Sequence, residues 1–402
     1  MPDTSTRILR LLICFGFLAS CSHGISFTPY SNEQLAQRER PLAGNGYQQI
    51  YSFKSGVDGA NPISGLTEIN GTFYGTTYGG GTSGGWGTVF KVSPDGAEHV
   101  IYKFKANSDG AHPYAGLTGV NGTLYGTTYQ GGAGGNGTVF KVSTSGVERV
   151  LYSFKGGNDG VYPYGRLIAD GGQLYGTTYT GGGGYGWGIV FRVSLSGAET
   201  VIYRFKANDD GTHDGAHPYA GLVVYNGVLY GTTQQGGTKG NGTVYKVSPG
   251  GSEHVVYSFK GAPDGQYPYA KLLAYNGALY GTTYQGGIGY GWGIVFKVTP
   301  GGTETILHKF KANADGAHPQ YAGLTNVGGL LYGTTYQGGT PKNGTVYSVT
   351  PGGTEHVVYA FKGGPADGAH PYDGFANSNG ALYGTTNDGG ADNAGTVFKL
   401  TP

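Results

Sequence analysis

The chain has 402 residues, of which 82 are Gly and 34 Tyr, with a single Met and only 12% charged side chains. Helix formers are scarce and β-formers abundant, which predicts an all-β fold. The formal net charge is +1 with no basic run, which argues against a nucleic-acid binder, since that needs a positive surface to displace counterions from phosphates. Glycine this frequent also suits low-complexity disorder, but aromatics recur at fixed positions between the glycines, and a disordered chain has no reason to keep them there.

Residues 1–20 read as an export signal. Arg7 and Arg10 give a positive start, and the apolar run 11–18 is too short for a stop-transfer helix. Leu18-Ala19-Ser20-Cys21 is similar to a bacterial lipobox, which implies cleavage before Cys21 and a membrane lipid on it; Ser22 then implies the outer membrane of the envelope. The rival reading is an ordinary cleaved secretory signal with an incidental cysteine. Cys14 and Cys21 are the only cysteines, so the mature domain folds with neither a disulfide nor a free thiol in its body. Residues 21–47, polar and containing Pro29 and Pro41, read as the lipidated N-terminus and a flexible tether.

From residue 48 one pattern returns seven times. The Gly of Tyr-Gly-Thr-Thr falls at 75, 126, 176, 231, 281, 333 and 384, a period near fifty, and the one long interval holds a duplicated loop at 209–215. Four strands are predicted per repeat, which in the second copy span 116–120, 123–129, 137–143 and 148–155. Asn121-Gly122 joins the first pair as a two-residue hairpin turn, where both residues must tolerate positive φ. Leu124 and Tyr125 are expected to pack between neighbouring sheets, and Gly126 to admit close backbone approach. Four antiparallel strands in seven copies predict a seven-bladed β-propeller over 48–402. The domain opens on a lone fourth-type strand, 48–54, and closes on a third-type strand, 395–400. The opening strand is therefore predicted to complete the last blade, which closes the ring and removes exposed sheet edges.

The motifs Asp-Gly-x-x-Pro-x-x-Gly-Leu, Leu-Tyr-Gly-Thr-Thr, Gly-Thr-Val-Phe-Lys-Val and Val-Val-Tyr-Ser-Phe-Lys together resemble the GloVer tandem repeat of bacterial surface proteins with varied means of anchoring. Asn-Gly-x-Leu-Tyr is more distantly similar to kelch blades. The resemblance covers nearly all of 48–402 and implies an exported, anchored propeller; it supplies no catalytic residues.

Antiparallel order puts the first–second and third–fourth turns on one face and the second–third loops and blade connections on the other. The second set is long and aromatic, so binding groups are expected there. A residue present in every blade serves the blade, whereas one present in some blades is the better site candidate. Asp-Gly occurs in all seven connections (Asp58, Asp109, Asp159, Asp214, Asp264, Asp315 and Asp367), each after a strand ending in Phe-Lys. It reads as an Asx-type turn with a neighbouring ion pair such as Lys105 with Asp109; a calcium site would need roughly six to eight oxygen ligands. Trp86, Trp187 and Trp292 occur only in blades one, three and five, with Tyr185 and Tyr290 two residues before the latter two. His112, His217 and His318 precede blades two, four and six, followed by Tyr114, Tyr219 and Tyr321, and His370 precedes blade seven. Under duplication of a two-blade unit, each Trp fills a gap against the next loop and each His caps a carbonyl. Under the alternative, these rings and Asn136, Asn241, Asn343, Gln130, Gln235 and Gln337 form platforms suited to a sugar's CH face and hydroxyls.

Enzyme chemistry finds less support. The first strands, expected to line the channel, offer Glu68, Arg166, Asp170 and Lys271 without paired carboxylates. There is no Ser-His-Asp spacing, no His/Cys metal cluster and no cofactor motif. The leading expectation is a monomeric, non-catalytic propeller binding glycans or cell-wall polymers. An envelope scaffold docking a surface protein comes second, and a polysaccharide hydrolase or lyase third.

Overall fold

The computed structural model describes residues 46–402 apart from 185, 208–212, 290, 313 and 322; the signal, Cys21, most of the tether, Tyr185 and Tyr290 lie outside the described residues. Seven antiparallel sheets of four principal strands follow one another along the chain, forming a seven-bladed β-propeller with no helix among the described residues. In blade two the strands are Thr118–Val120, Thr123–Thr128, Thr138–Ser143 and Glu148–Ser153, each paired with the next. Asn121 and Gly122 have φ of +49° and +75°, as the tight hairpin requires. The first strands of neighbouring blades touch and so form the innermost ring. They are shorter than the sequence predicts, because the preceding residues turn to meet the neighbouring blade. A Cβ on Gly116 would lie 2.5 Å from the Gly65 carbonyl oxygen, so glycine lets these segments meet.

The ring closes as the sequence predicts. Tyr47–Ser52 pairs antiparallel with Thr396–Leu400, Tyr47 opposite Leu400 and Ser52 opposite Thr396, as the fourth strand of blade seven. The strand begins at Tyr47, one residue earlier than expected. Tyr47 stacks on Tyr359 of blade six with centroids 4.2 Å apart and planes 4° from parallel. By register it stands where the outer strands of the other blades carry a glutamate, as Glu98 does opposite Val92.

The core sits between blades. Seven buried clusters each combine residues of two adjacent sheets, one of them joining Tyr74 and Val89 to Leu117, Leu124, Phe140 and Val142. The Phe that ends each outer strand swings into the next blade and meets its third-strand aromatic edge-on. Phe104 meets Phe140 at 5.2 Å and 73°, and the same pair recurs at all seven junctions. Such pairs contribute beyond the area they bury. The room left by Gly126 is filled by this ring rather than by backbone: an added Cβ would lie 2.6 Å from Phe140 Cζ. Each outer pairing also carries one register shift, between Val139 and Phe140 in blade two.

Blades four and six place Tyr245 and Tyr347 where the other blades have Phe, and both hydroxyls are buried without a partner among the described residues. A buried hydroxyl lacking a hydrogen bond carries its full desolvation cost. Tyr245→Phe and Tyr347→Phe are each expected to stabilise the protein by about 1 kcal/mol, read as a rise in denaturation midpoint. A lower midpoint in both variants would show that the hydroxyls are satisfied.

Candidate functional site

On the loop face, blade connections and second–third loops are stitched together at one residue per junction. Asn61, His112, Tyr162, His217, Tyr267, His318 and His370 all have φ between 54° and 61°. Positive φ is costly for residues with a Cβ, and it holds here because the backbone is bonded on both sides. His112 N–H donates to the Trp86 carbonyl at 2.8 Å, and its own carbonyl accepts from Tyr129 N–H at 3.0 Å.

Three of these junctions carry the predicted histidines and tryptophans together. His112 stacks on Tyr78 at 4.5 Å, meets the edge of Trp86 at 5.3 Å, and places Nδ1 2.9 Å from the Tyr78 carbonyl oxygen. His217 repeats this with Tyr179 and Trp187, and His318 with Tyr284 and Trp292. Burial lowers the pKa of His217. Each Trp is half-buried, with part of its surface packed on the inter-blade core. Both structural roles weighed from the sequence are thus filled, and the rings nonetheless remain partly accessible to solvent. Gln130, Asn136, Gln235 and Asn241 are half-buried beside these loops and Gln337 is exposed.

The aspartate of each connection is a latch. Asp109 accepts from Tyr102 Oη at 2.8 Å and from the backbone N–H of Lys105 at 3.1 Å. Equivalent Tyr pairs occur at Asp58, Asp159, Asp214, Asp264 and Asp367, while His308 replaces the Tyr at Asp315. The expected ion pair of Lys105 with Asp109 does not form. The lysine contributes its amide, and its equivalents Lys155 and Lys260 instead lie over Tyr152 and Tyr257, 6.0 and 5.7 Å from the ring centres. A glutamate from the next blade's outer strand faces each of six latches. Its carboxyl is pushed up to about 7 (Glu98, Glu148, Glu199, Glu304 and Glu355) or about 8 (Glu253), by burial first, with the latch aspartate adding. Among the described residues no group of three or more His, Cys, Asp or Glu could hold a metal ion.

The third location is the axis, where Tyr114 and Tyr219 are found instead of on the outer loops. With Tyr164, Tyr269, Tyr321 and Tyr372 they occupy one position in six blades, where blade one has Ile63. Their rings converge: Tyr164 stacks on Tyr219 at 4.4 Å, Tyr321 on Tyr372 at 4.2 Å, and the Tyr114 and Tyr372 hydroxyls are hydrogen-bonded. They line a cavity of about 400 Å³ together with Arg166, Lys271 and Asp373. Arg166 and Lys271, spread over the chain in sequence, are brought to one chamber, while Glu68 and Asp170 are exposed at the hairpin face and Glu68 caps the turn through Gly71 N–H at 2.7 Å. Arg166 donates to Thr67 Oγ1. Asp373 was legible in Pro-Tyr-Asp-Gly, where other blades have Ser, Ala or Gly, but sequence reasoning passed over it. It accepts from Gly65 N–H and Gly374 N–H, each at 2.7 Å, bridging blades one and seven. Burial lowers Lys271 to about 8, with Arg166 adding to the fall, and burial also lowers Arg166 and raises Asp373.

The Gloeobacter/Verrucomicrobia repeat matches residues 39–223, 82–291 and 287–402, and the chain belongs to that repeat family. No curated protein sequence is significantly similar to it. Among solved structures it is similar to the BP39L lectin from Burkholderia pseudomallei, with 14% identity and a TM-score of 0.57 over 86% of this chain and 97% of that one. It is also similar to a puromycin-hydrolyzing peptidase of Mycobacterium tuberculosis, with 13% identity and a TM-score of 0.52 over 88% of this chain. The match covers 55% of the peptidase, so the chain spans about half its length. At these identities the likeness is one of fold.

The latch glutamates set a pH dependence. Their folded pKa values near 7 to 8 stand above the ordinary 4.5, so the stability they contribute is complete below about 4.5 and is lost as pH rises through 7 to 8. The melting temperature is expected to fall between pH 5 and 8, and Glu148→Gln with Glu304→Gln to flatten that fall. A melting temperature that rises over this window would contradict the assignment.

Proposed function

We propose that this protein is a non-catalytic binding propeller of the bacterial envelope whose loop face recognises neutral glycans or cell-wall polymers. The observation that supports this reading is the Tyr–His–Trp cluster repeated on blades one and two, three and four, and five and six. Each cluster turns half-buried aromatic surface outward beside neutral amides, which is the chemistry of a sugar's CH face and hydroxyls. The rings are fixed by stacking and by bonded backbone, so little ordering cost remains at binding. In the BP39L lectin a propeller of similar fold belongs to a protein named for sugar recognition. Three clusters on one rigid face would engage a repeating polymer with the gain that multiple weak contacts bring. A lipid on Cys21 would hold the propeller to the outer membrane.

The test is a glycan array with the purified protein and a Trp86→Leu/Trp187→Leu/Trp292→Leu variant. Leucine keeps core packing and removes the flat ring, so affinity is expected to fall about three- to tenfold per engaged cluster while circular dichroism is unchanged. Failure to bind any neutral glycan, with specific capture of an envelope protein instead, would favour the scaffold reading. In detergent phase partition, wild type is expected in the detergent phase and Cys21→Ala in the aqueous phase; a wild type already aqueous overturns the lipid anchor.

A further inference from the structure

We propose that the axial chamber is a second binding site, independent of the loop face, for one small ring-bearing monocarboxylate held by Arg166 and Lys271. The repeat itself carries the argument. At the position before the Leu or Phe that recurs in every blade, five blades have glycine (Gly65, Gly116, Gly221, Gly323 and Gly374), while blades three and five have Arg166 and Lys271. Five blades build the inner ring without a side chain here, so the two long cations are not required by the fold. Both nonetheless line the same cavity of about 400 Å³, in the size range of small-molecule sites.

The charges in the chamber do not cancel. Asp373 is the single carboxylate among the cavity's described lining residues, and its two oxygens already accept the Gly65 and Gly374 amides. No carboxylate lies within ion-pair distance of Arg166 or Lys271 among the described residues; Arg166 makes one hydrogen bond, to the neutral Thr67 hydroxyl. Inside the chamber two half-buried cations face one carboxylate, which leaves one positive charge unmatched there, Glu68 lying outside in the exposed recess. A monoanion balances it, whereas a phosphate dianion leaves the site overfilled. The guanidinium fork fits a carboxylate in particular, since it can donate two parallel hydrogen bonds. The tyrosines at the far end suit the other half of the ligand: their faces accept a flat or CH-rich ring, and their hydroxyls can bond to its substituents.

The route in is from the hairpin face. The tyrosine rings crowd the axis at the loop end, while Arg166 also lines a shallower recess with Thr67, Glu68, Asn70, Thr118 and Asn121 between the hairpins of blades one and two. Arg166 thus faces both the mouth and the chamber, and would be the first cation a carboxylate meets.

Titration calorimetry of the whole protein with D-glucuronate, D-galacturonate and benzoate, against D-glucose and inorganic phosphate, tests the proposal. At least one carboxylate is expected to bind one to one, and glucose and phosphate at least about tenfold more weakly, the factor that a charged hydrogen bond supplies. Arg166→Gly and Lys271→Gly put the repeat's own residue back, so the blades retain a sequence they already tolerate. Each should weaken the carboxylate at least about tenfold, and Asp373→Asn should tighten it about threefold by removing the competing charge. Trp86→Leu/Trp187→Leu/Trp292→Leu should leave it unchanged, which separates this site from the loop face. The proposal is overturned if no carboxylate binds, if glucose or phosphate binds equally well, or if affinity survives the Arg166→Gly/Lys271→Gly pair.

Discussion

The interaction on which everything else depends is the edge-to-face aromatic pair at each blade junction. A four-stranded sheet of this size cannot bury both of its faces alone, and here each one hands a Phe to its neighbour. Phe53 enters blade one, Phe104 blade two, and so on until Phe361 meets Phe398 in blade seven. The chain of pairs has no natural end, so the ring must close on itself. The strand Tyr47–Ser52 achieves this by joining blade seven and delivering Phe53 to blade one. The glycine of Tyr-Gly-Thr-Thr belongs to the same device, because any side chain there would occupy the space of the blade's own third-strand ring, the one that receives the incoming Phe.

A scaffold that repeats this strictly separates two kinds of residue. Those that recur in every blade, such as the latch aspartates, are accounted for by hydrogen bonds that hold connections to outer strands. Those that recur in some blades fall into two groups once placed in space. The His and Trp positions gather on the loop face, where each ring has both a structural contact and an outward surface. The two cations gather at the axis, where they have little structural employment.

Much of this was legible in the sequence. The spacing of seven Tyr-Gly-Thr-Thr motifs gave the blade number, Asn121-Gly122 gave the hairpin, and the mismatch of strand types at the two ends of the domain gave the closure. What stayed hidden depends on curvature. Arg166, Lys271 and Asp373 are separated by roughly one hundred residues each, and only a closed ring turns equivalent positions of different blades toward a common axis. The same holds for Tyr114 and Tyr219, which share a loop with the histidines in sequence yet point to the centre. The Lys–Asp ion pair that the spacing predicts is absent for a local reason: an aspartate four residues after a lysine closes a turn through the lysine's amide, which leaves the flexible ammonium to rest on a tyrosine ring, as at Lys155.

Duplication of a two-blade unit explains part of the asymmetry without explaining all of it. Blades three and five share Gly-Tyr-Gly-Trp-Gly-Ile-Val-Phe as well as a cation on the inner ring, which is what copying blades three and four into five and six would produce. Copying accounts for the arrival of a second cation. It does not account for its tolerance, because two half-buried positive groups sharing one chamber repel each other and each loses part of its hydration, and glycine at the same position serves five other blades. Nor does it account for Asp373, which lies in blade seven, outside the copied unit, and supplies only one of the two charges needed for balance. An arrangement that costs stability, that the fold does not need, and that a monoanion would complete is better understood as a site than as a relic of how the chain was built.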